Sequence, residues 1–181
     1  IRAFKDLIRP RVSAAYRAVL KVKEQRSDTP DLRAAELSDA IGALRALDER
    51  IIDRCESIRA EFPELEEPWT HHALRARHEE VMATLEDAGC VAIAGGHVAI
   101  LLNRMEFFGL RGALRQLVEG GGLVAAWSAG AMILAERVVL YYDDPPEGPS
   151  EPEVLDRGLG LLRDRILMPH ARTRLRWDVP E

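Results

Sequence analysis

An apolar run ends at a serine between small residues in the stretch VAAWSAGAM, residues 124–132, and a helix-like run follows it. This layout is typical of a nucleophile elbow. There, a strand delivers Ser128 into a tight turn, and the next helix directs its free N–H groups at the group under attack. Small residues at Ala126 and Gly130 fit such a turn, because strand and helix nearly touch there. The same stretch also fits a buried serine that caps a helix after a core strand.

Short apolar runs alternate with helical stretches after Gly89. The predicted strands are Cys90–Ala94, Leu123–Ala126, Val138–Tyr142 and Arg165–Leu167. The predicted helices are Val98–Phe108, Arg111–Glu119 and Ser128–Glu136. This order indicates an α/β fold with a parallel sheet, whose functional residues lie at the carboxyl ends of the strands. Gly96, Ser128 and His170 all follow predicted strand ends.

Helical patterns dominate before Gly89. A first helix should run from about Ala3 to Gln25, with Pro10 kinking or splitting it. A second helix should be capped by Thr29 or Asp31 and should end at Phe62-Pro63. A third helix should be capped by Thr70. We therefore predict two parts: residues 1–88, an all-helical insertion, lid or dimerisation element, and residues 89–181, the catalytic portion.

Composition narrows the class of protein. The chain has 181 residues, of which 47% are hydrophobic and 30% charged, enough to bury a core. The net charge of −5 argues against nucleic-acid binding. We expect a cytoplasmic protein without membrane association, since no apolar run suits a membrane span and no signal peptide is visible. Cys55 and Cys90 give no disulfide framework. Because the chain lacks an initiator Met and ends abruptly, we expect a piece of a longer protein, with the catalytic portion incomplete.

Three motifs resemble the dipeptidase E and cyanophycinase family of serine peptidases: Ala94-Gly95-Gly96-His97, Ala126–Ala131 and Pro169-His170. The resemblance covers roughly residues 88 to 172 and implies the flavodoxin-like fold of class I glutamine amidotransferases, with serine in place of cysteine. We therefore expect a flavodoxin-like α/β domain with an added helical segment.

A serine nucleophile needs a base, a group that orients the base and an oxyanion site. His170 matches the Pro-His of the family and is the expected base for Ser128. The resemblance implies Asp143 as the acid, while Asp144 and Glu147 remain alternatives in the same segment. That segment could equally be an acidic turn in an exposed loop.

The oxyanion donors implied are the backbone N–H groups of Ala129 and Gly96. Ala94 departs from the family, which has a glycine there. His97 stands where the family has Asn and could contact substrate, or it could simply start a helix. The arginines after the predicted base could pair an aspartyl carboxylate or form a solvated edge; they are Arg172, Arg174 and Arg176.

The resulting hypothesis is a serine peptidase acting on small or aspartyl-containing peptides through an acyl-enzyme. We expect no cofactor and no metal site, a small peptide as the substrate, and a homodimer formed through the helical segment. An esterase with the same triad, or a catalytically silent module used for assembly, are the alternatives.

Overall fold

The computed structural model describes residues 1–62, 68–141 and 151–171. Two long helices come first, α1 (Arg2–Glu24) and α2 (Pro30–Ala60). They pack against each other as a hairpin around a small cluster of buried side chains, formed by Ile8, Val12, Ile51 and Cys55. The helical character predicted for this part of the chain is confirmed.

Two local expectations for the helices need correction. Helix α1 continues through Pro10, so it is not split, and a kink at Pro10 stays a prediction. Proline removes one backbone hydrogen bond, and the packing of Ile8 and Val12 on α2 holds the helix together on both sides of it. The third helix, α3 (His72–Glu86), is capped by His71, whose Nδ1 accepts a hydrogen bond from Ala73 N at 3.3 Å.

A pair of parallel strands follows, β1 (Cys90–Ile93) and β2 (Leu123–Ala126). Between them the chain forms α4 (Val98–Phe107) and α5 (Leu110–Glu119). Ile93 lies opposite Ala126, so both strands end at the same edge of the sheet. The α/β class and the parallel pairing at this point are therefore confirmed.

The chain then turns through α6 (Ala129–Leu134) into an antiparallel pair, β3 (Arg137–Leu140) and β4 (Glu153–Arg157). Sequence patterns did not predict β4. The strand predicted at Arg165–Leu167 is wrong, because these residues form no ladder with any described strand. Asp164, at φ 54°, turns the backbone out of the extended region just before them.

The main core lies between the parallel strands, their helices and β3. Its fully buried members come from α5, α6, β3 and the segment after β4, and are Leu114, Ile133, Val138 and Leu159. Ile93, at the end of β1, joins them at 3% exposure, so the edge of the sheet that carries Ser128 is anchored directly in this core.

A partly buried ion pair ties the helical hairpin to β4. The carboxylate of Asp156 in β4 accepts hydrogen bonds from both terminal guanidinium nitrogens of Arg59 in α2. Burial alone would lower the pKa of Arg59, but the hydrogen bond and the charge of Asp156 outweigh it and raise that pKa. Burial, and then the charge of Asp156, raise the pKa of the neighbouring Cys55 thiol. Among the described helices, none has the length and apolar character needed to cross a bilayer.

Candidate active site

Ser128 occupies a strained turn between β2 and α6. Its backbone lies at φ 53° and ψ −128°, a region that residues other than glycine rarely adopt. The turn is closed by a hydrogen bond from Gly130 N to Trp127 O at 3.0 Å, and it is tied to β1 by one from Trp127 N to Ile93 O at 3.2 Å. This is the backbone expected of a nucleophile elbow.

Gly130 explains how the turn fits so close to the sheet. A Cβ built at this position would lie 2.2 Å from Ile93 O and 2.7 Å from Ala94 O. Helix α6 thus begins in direct contact with the end of β1, and only a residue without a side chain fits there. The prediction that a small residue is needed at this point is confirmed.

The glycine loop after β1 covers the serine side chain. A Cβ built on Gly95 would lie 2.9 Å from Ser128 Cβ and 3.1 Å from its Oγ. Gly96 follows at φ 142°, a conformation that favours glycine. The glycine predicted from the sequence to act beside Ser128 is Gly96, whereas the contact with Ser128 is made by Gly95, one residue earlier. The triplet of small residues indicated the loop, but nothing in its sequence fixed which glycine meets the serine.

The amide of Ala129 lies at the first position of α6, where helices leave their N–H groups without intrahelical partners. No described residue accepts a hydrogen bond from it. Trp127, on the other side of Ser128, has a side chain that is 55% exposed and forms an aromatic surface beside the serine. No role for Trp127 was predicted from the sequence.

His170 lies in a second strained turn. Its φ is 63°, and the turn is closed by a hydrogen bond from Ala171 N to Met168 O at 3.1 Å. The buried Tyr141, at the end of β3, donates its hydroxyl hydrogen bond to Pro169 O and so anchors this turn to the sheet. Three described residues other than glycine have positive φ, and two of them are the predicted nucleophile and base, Ser128 and His170. Such strain concentrates at functional sites.

His97 caps helix α4. Its Nδ1 accepts a hydrogen bond from Ile100 N at 3.4 Å, and the ring is exposed beside the glycine loop. One ring nitrogen is therefore occupied by the helix start that the sequence also allowed, and contact with substrate through the other stays a prediction.

The remaining predicted site residues lie outside the described residues. These are the three candidate acids Asp143, Asp144 and Glu147, and the arginines Arg172, Arg174 and Arg176. Within the described residues, Ser128 Oγ makes no hydrogen bond to another side chain. The geometry thus brings together Ser128, Ala129 and the glycine loop, while the assignment of the triad stays a prediction.

Comparison with known proteins identifies a family for the chain. No curated protein matches the chain. A family model described as peptidase family S51 matches residues 55–178, about two thirds of the chain. The match contains both strained turns and the glycine loop. It begins inside α2, and so takes in α3 as well, well before the stretch that carried the resemblance. The chain therefore belongs to peptidase family S51, the dipeptidase E-like serine peptidases, and is a serine-type hydrolase.

Proposed function

We propose that this hydrolase cleaves small or aspartyl-containing peptides with Ser128 as nucleophile, His170 as base and Asp143 as the orienting acid. The observation that carries the proposal is the backbone of Ser128, held at positive φ under Gly95 and beside the amide of Ala129, which has no acceptor among the described residues. A helix-capping serine needs no such strain, since an N-cap residue normally has extended backbone angles.

The reaction follows from these positions. Ser128 Oγ forms a bond to the peptide carbonyl carbon while His170 takes its proton, and the carbonyl π electrons move to the oxygen. The N–H groups of Ala129 and Gly96 hold this oxyanion, each donor being typically worth roughly 3 kcal/mol. The C–N bond then breaks and His170 returns the proton to the leaving amine. His170 then takes a proton from water as the water attacks the acyl-enzyme. The bond to Ser128 Oγ breaks, His170 returns the proton to Oγ, and the carboxylic acid product is released.

The proposed fold is flavodoxin-like, and its support is the parallel β1–β2 pair with Ser128 at the shared carboxyl edge. The proposed acid comes shortly after Tyr141, which directly follows β3 and anchors the turn of His170. The segment that carries the candidate acids therefore begins at the residue that also holds the turn of the base. Asp144 and Glu147 fit this argument equally, so the acid has to be identified by substitution.

The first experiment is labelling with a fluorophosphonate, which phosphonylates an activated serine Oγ and releases fluoride. Intact mass should show one adduct on the wild type and none on Ser128→Ala. Ser38→Ala, an exposed serine of α2, is the matched control and should label like the wild type. Absence of an adduct on folded wild-type protein would reject the activated serine.

The acid and the substrate need separate measurements. Asp143→Asn should slow labelling far more than Asp144→Asn or Glu147→Gln if Asp143 orients His170. A dipeptide with an aspartyl residue, compared with its asparaginyl twin, tests recognition of the carboxylate. Replacing Arg172 and Arg174 with glutamine should raise KM for the aspartyl substrate alone. Faster hydrolysis of a matched ester, with no cleavage of either dipeptide, would favour the esterase instead.

A further inference from the structure

A cleft lined by arginines lies away from Ser128, where α2, α5, the start of β3 and the segment after β4 meet. Its volume is about 370 Å³, within the usual range for small-molecule sites. Five guanidinium groups line it, those of Arg111, Arg115, Arg137, Arg157 and Arg163. This concentration of positive charge is notable in a chain whose net charge is −5.

Three of the five arginines hold neighbouring elements together through ion pairs. The pairs are Arg111–Glu106 at 2.5 Å, Arg157–Glu56 at 2.6 Å, and Arg137–Glu49. Two of these pairs cross from α2 to β3 or β4, so they fix the walls of the cleft. The guanidinium groups of these three arginines are therefore already paired with carboxylates of the protein.

The other two arginines have no acidic partner among the described residues. Neither Arg115 nor Arg163 forms an ion pair or a side-chain hydrogen bond in that part of the chain. Both are exposed to solvent at the cleft. Glu136, which precedes β3 and also lines the cleft, accepts a hydrogen bond from Asp164 N at 3.3 Å and forms no ion pair with a described residue. The cleft is therefore lined by five arginines and two carboxylates, Glu49 and Glu136, which leaves an excess of positive charge that Arg115 and Arg163 present to solvent.

Gly158 and Gly160, which have no side chains, line the cleft with backbone atoms and leave its space open. Gly160, at φ 66°, lies under the guanidinium of Arg115: a Cβ built there would be 3.9 Å from Arg115 Nη2. The amides of Gly158 and Gly160 already donate to Glu136 O at 2.9 Å and Ala135 O at 3.1 Å. This backbone is therefore fixed, and a ligand must be held by the side chains.

We propose that Arg115 and Arg163 bind an oxyanionic small molecule with at least two charged groups, either phosphates or carboxylates. Each guanidinium can form a bidentate pair with two oxygens of one phosphate or carboxylate. A ligand with two such anionic groups could therefore pair with both arginines. The ligand would connect α5 to the segment after β4 and so stabilise the packing of the elements around it. The site shares no residue with the proposed triad.

The test is thermal unfolding of the purified chain titrated with pyrophosphate and, separately, citrate, at ionic strength matched with sodium chloride. A saturable rise in Tm with one of them is expected, because a ligand that binds the folded state alone stabilises it. The tighter of the two anions identifies the ligand class. No saturable rise with either anion would overturn the proposal.

The double variant Arg115→Gln/Arg163→Gln should raise the Kd at least tenfold, since it removes the charge-assisted hydrogen bonds. Arg45→Gln/Arg50→Gln changes the net charge equally at exposed positions of α2 outside the cleft, and should bind like the wild type. Equal weakening in both double variants would mean that the anions sense only the overall charge, and the site would be rejected.

Discussion

Replacing Gly130 with alanine should push helix α6 away from strand β1. The new Cβ would lie 2.2 Å from Ile93 O, whereas real Cβ atoms keep at least 3.0 Å, so the two elements must separate by about 0.8 Å. Both neighbours are backbone carbonyls and cannot rotate away. Overpacking of this kind costs typically up to about 3 kcal/mol, and the better helix propensity of alanine returns up to about 1 kcal/mol. We expect a net loss of about 2 kcal/mol.

The assay is thermal or urea unfolding of Gly130→Ala beside Gly112→Ala. A Cβ at Gly112, in α5, would meet nothing within 4 Å, so that variant should gain up to about 1 kcal/mol from propensity alone. For a chain of this size the expected Tm falls by roughly 4–8 °C in the first variant and rises by a few degrees in the second. Equal stability of the two variants would refute the close contact between α6 and β1.

Three further outcomes are expected. Gly95→Ala should slow fluorophosphonate labelling about tenfold or more with little change in Tm, because its Cβ would lie 2.9 Å from Ser128 Cβ and 3.1 Å from the nucleophilic Oγ. Ser13→Ala should lower stability at pH 7 by up to about 1 kcal/mol, because the Ser13 hydrogen bond lowers the pKa of Glu151 in the folded state. The difference between Ser13→Ala and the wild type should vanish as the pH falls below 4.5 and through the lowered folded-state pKa of Glu151, because Glu151 is then protonated in both proteins. Folded protein should expose one thiol to a thiol reagent, Cys90, while Cys55 reacts only after unfolding.

Each of these outcomes has a control. Gly89→Ala, where a Cβ meets nothing within 4 Å, should label at the wild-type rate. A pH-independent difference between Ser13→Ala and the wild type would show that the hydrogen bond with Glu151 is not its cause. Two reactive thiols in the folded state would contradict the packing of α1 and α2 against β4, since Cys55 has no exposed surface.

Sequence patterns predicted the elements whose signals are local. Strand β2 was predicted with its observed bounds, and β1 to within one residue, because each is a short apolar run between glycines and a helix. The elbow was predicted for the same reason: the small residues that a strained turn requires lie within a few positions of Ser128. Such features depend on residues that are neighbours in the chain, so they can be predicted from a single sequence.

The elements that depend on distant partners were missed. Strand β4 carries Asp156, a charged residue that would normally exclude it from a buried strand. Its burial is tolerated because Arg59, far away in the sequence, supplies the counter-charge. Residues Arg165–Leu167 show the opposite case: their pattern suits a strand, but no described strand lies beside them to pair with. Pairing partners, rather than propensity, decided both outcomes.

The helical hairpin and the candidate base belong to one chain of contacts. Helix α2 holds β4 through Arg59 and Asp156, and β4 pairs with β3. Strand β3 leads to Tyr141, whose hydroxyl fixes the backbone of Pro169 beside His170. Each link is a packed or hydrogen-bonded contact between rigid elements, the kind of connection that transmits a displacement. Helices α1 and α2 therefore support the turn that carries the proposed base, although none of the proposed site residues belongs to them.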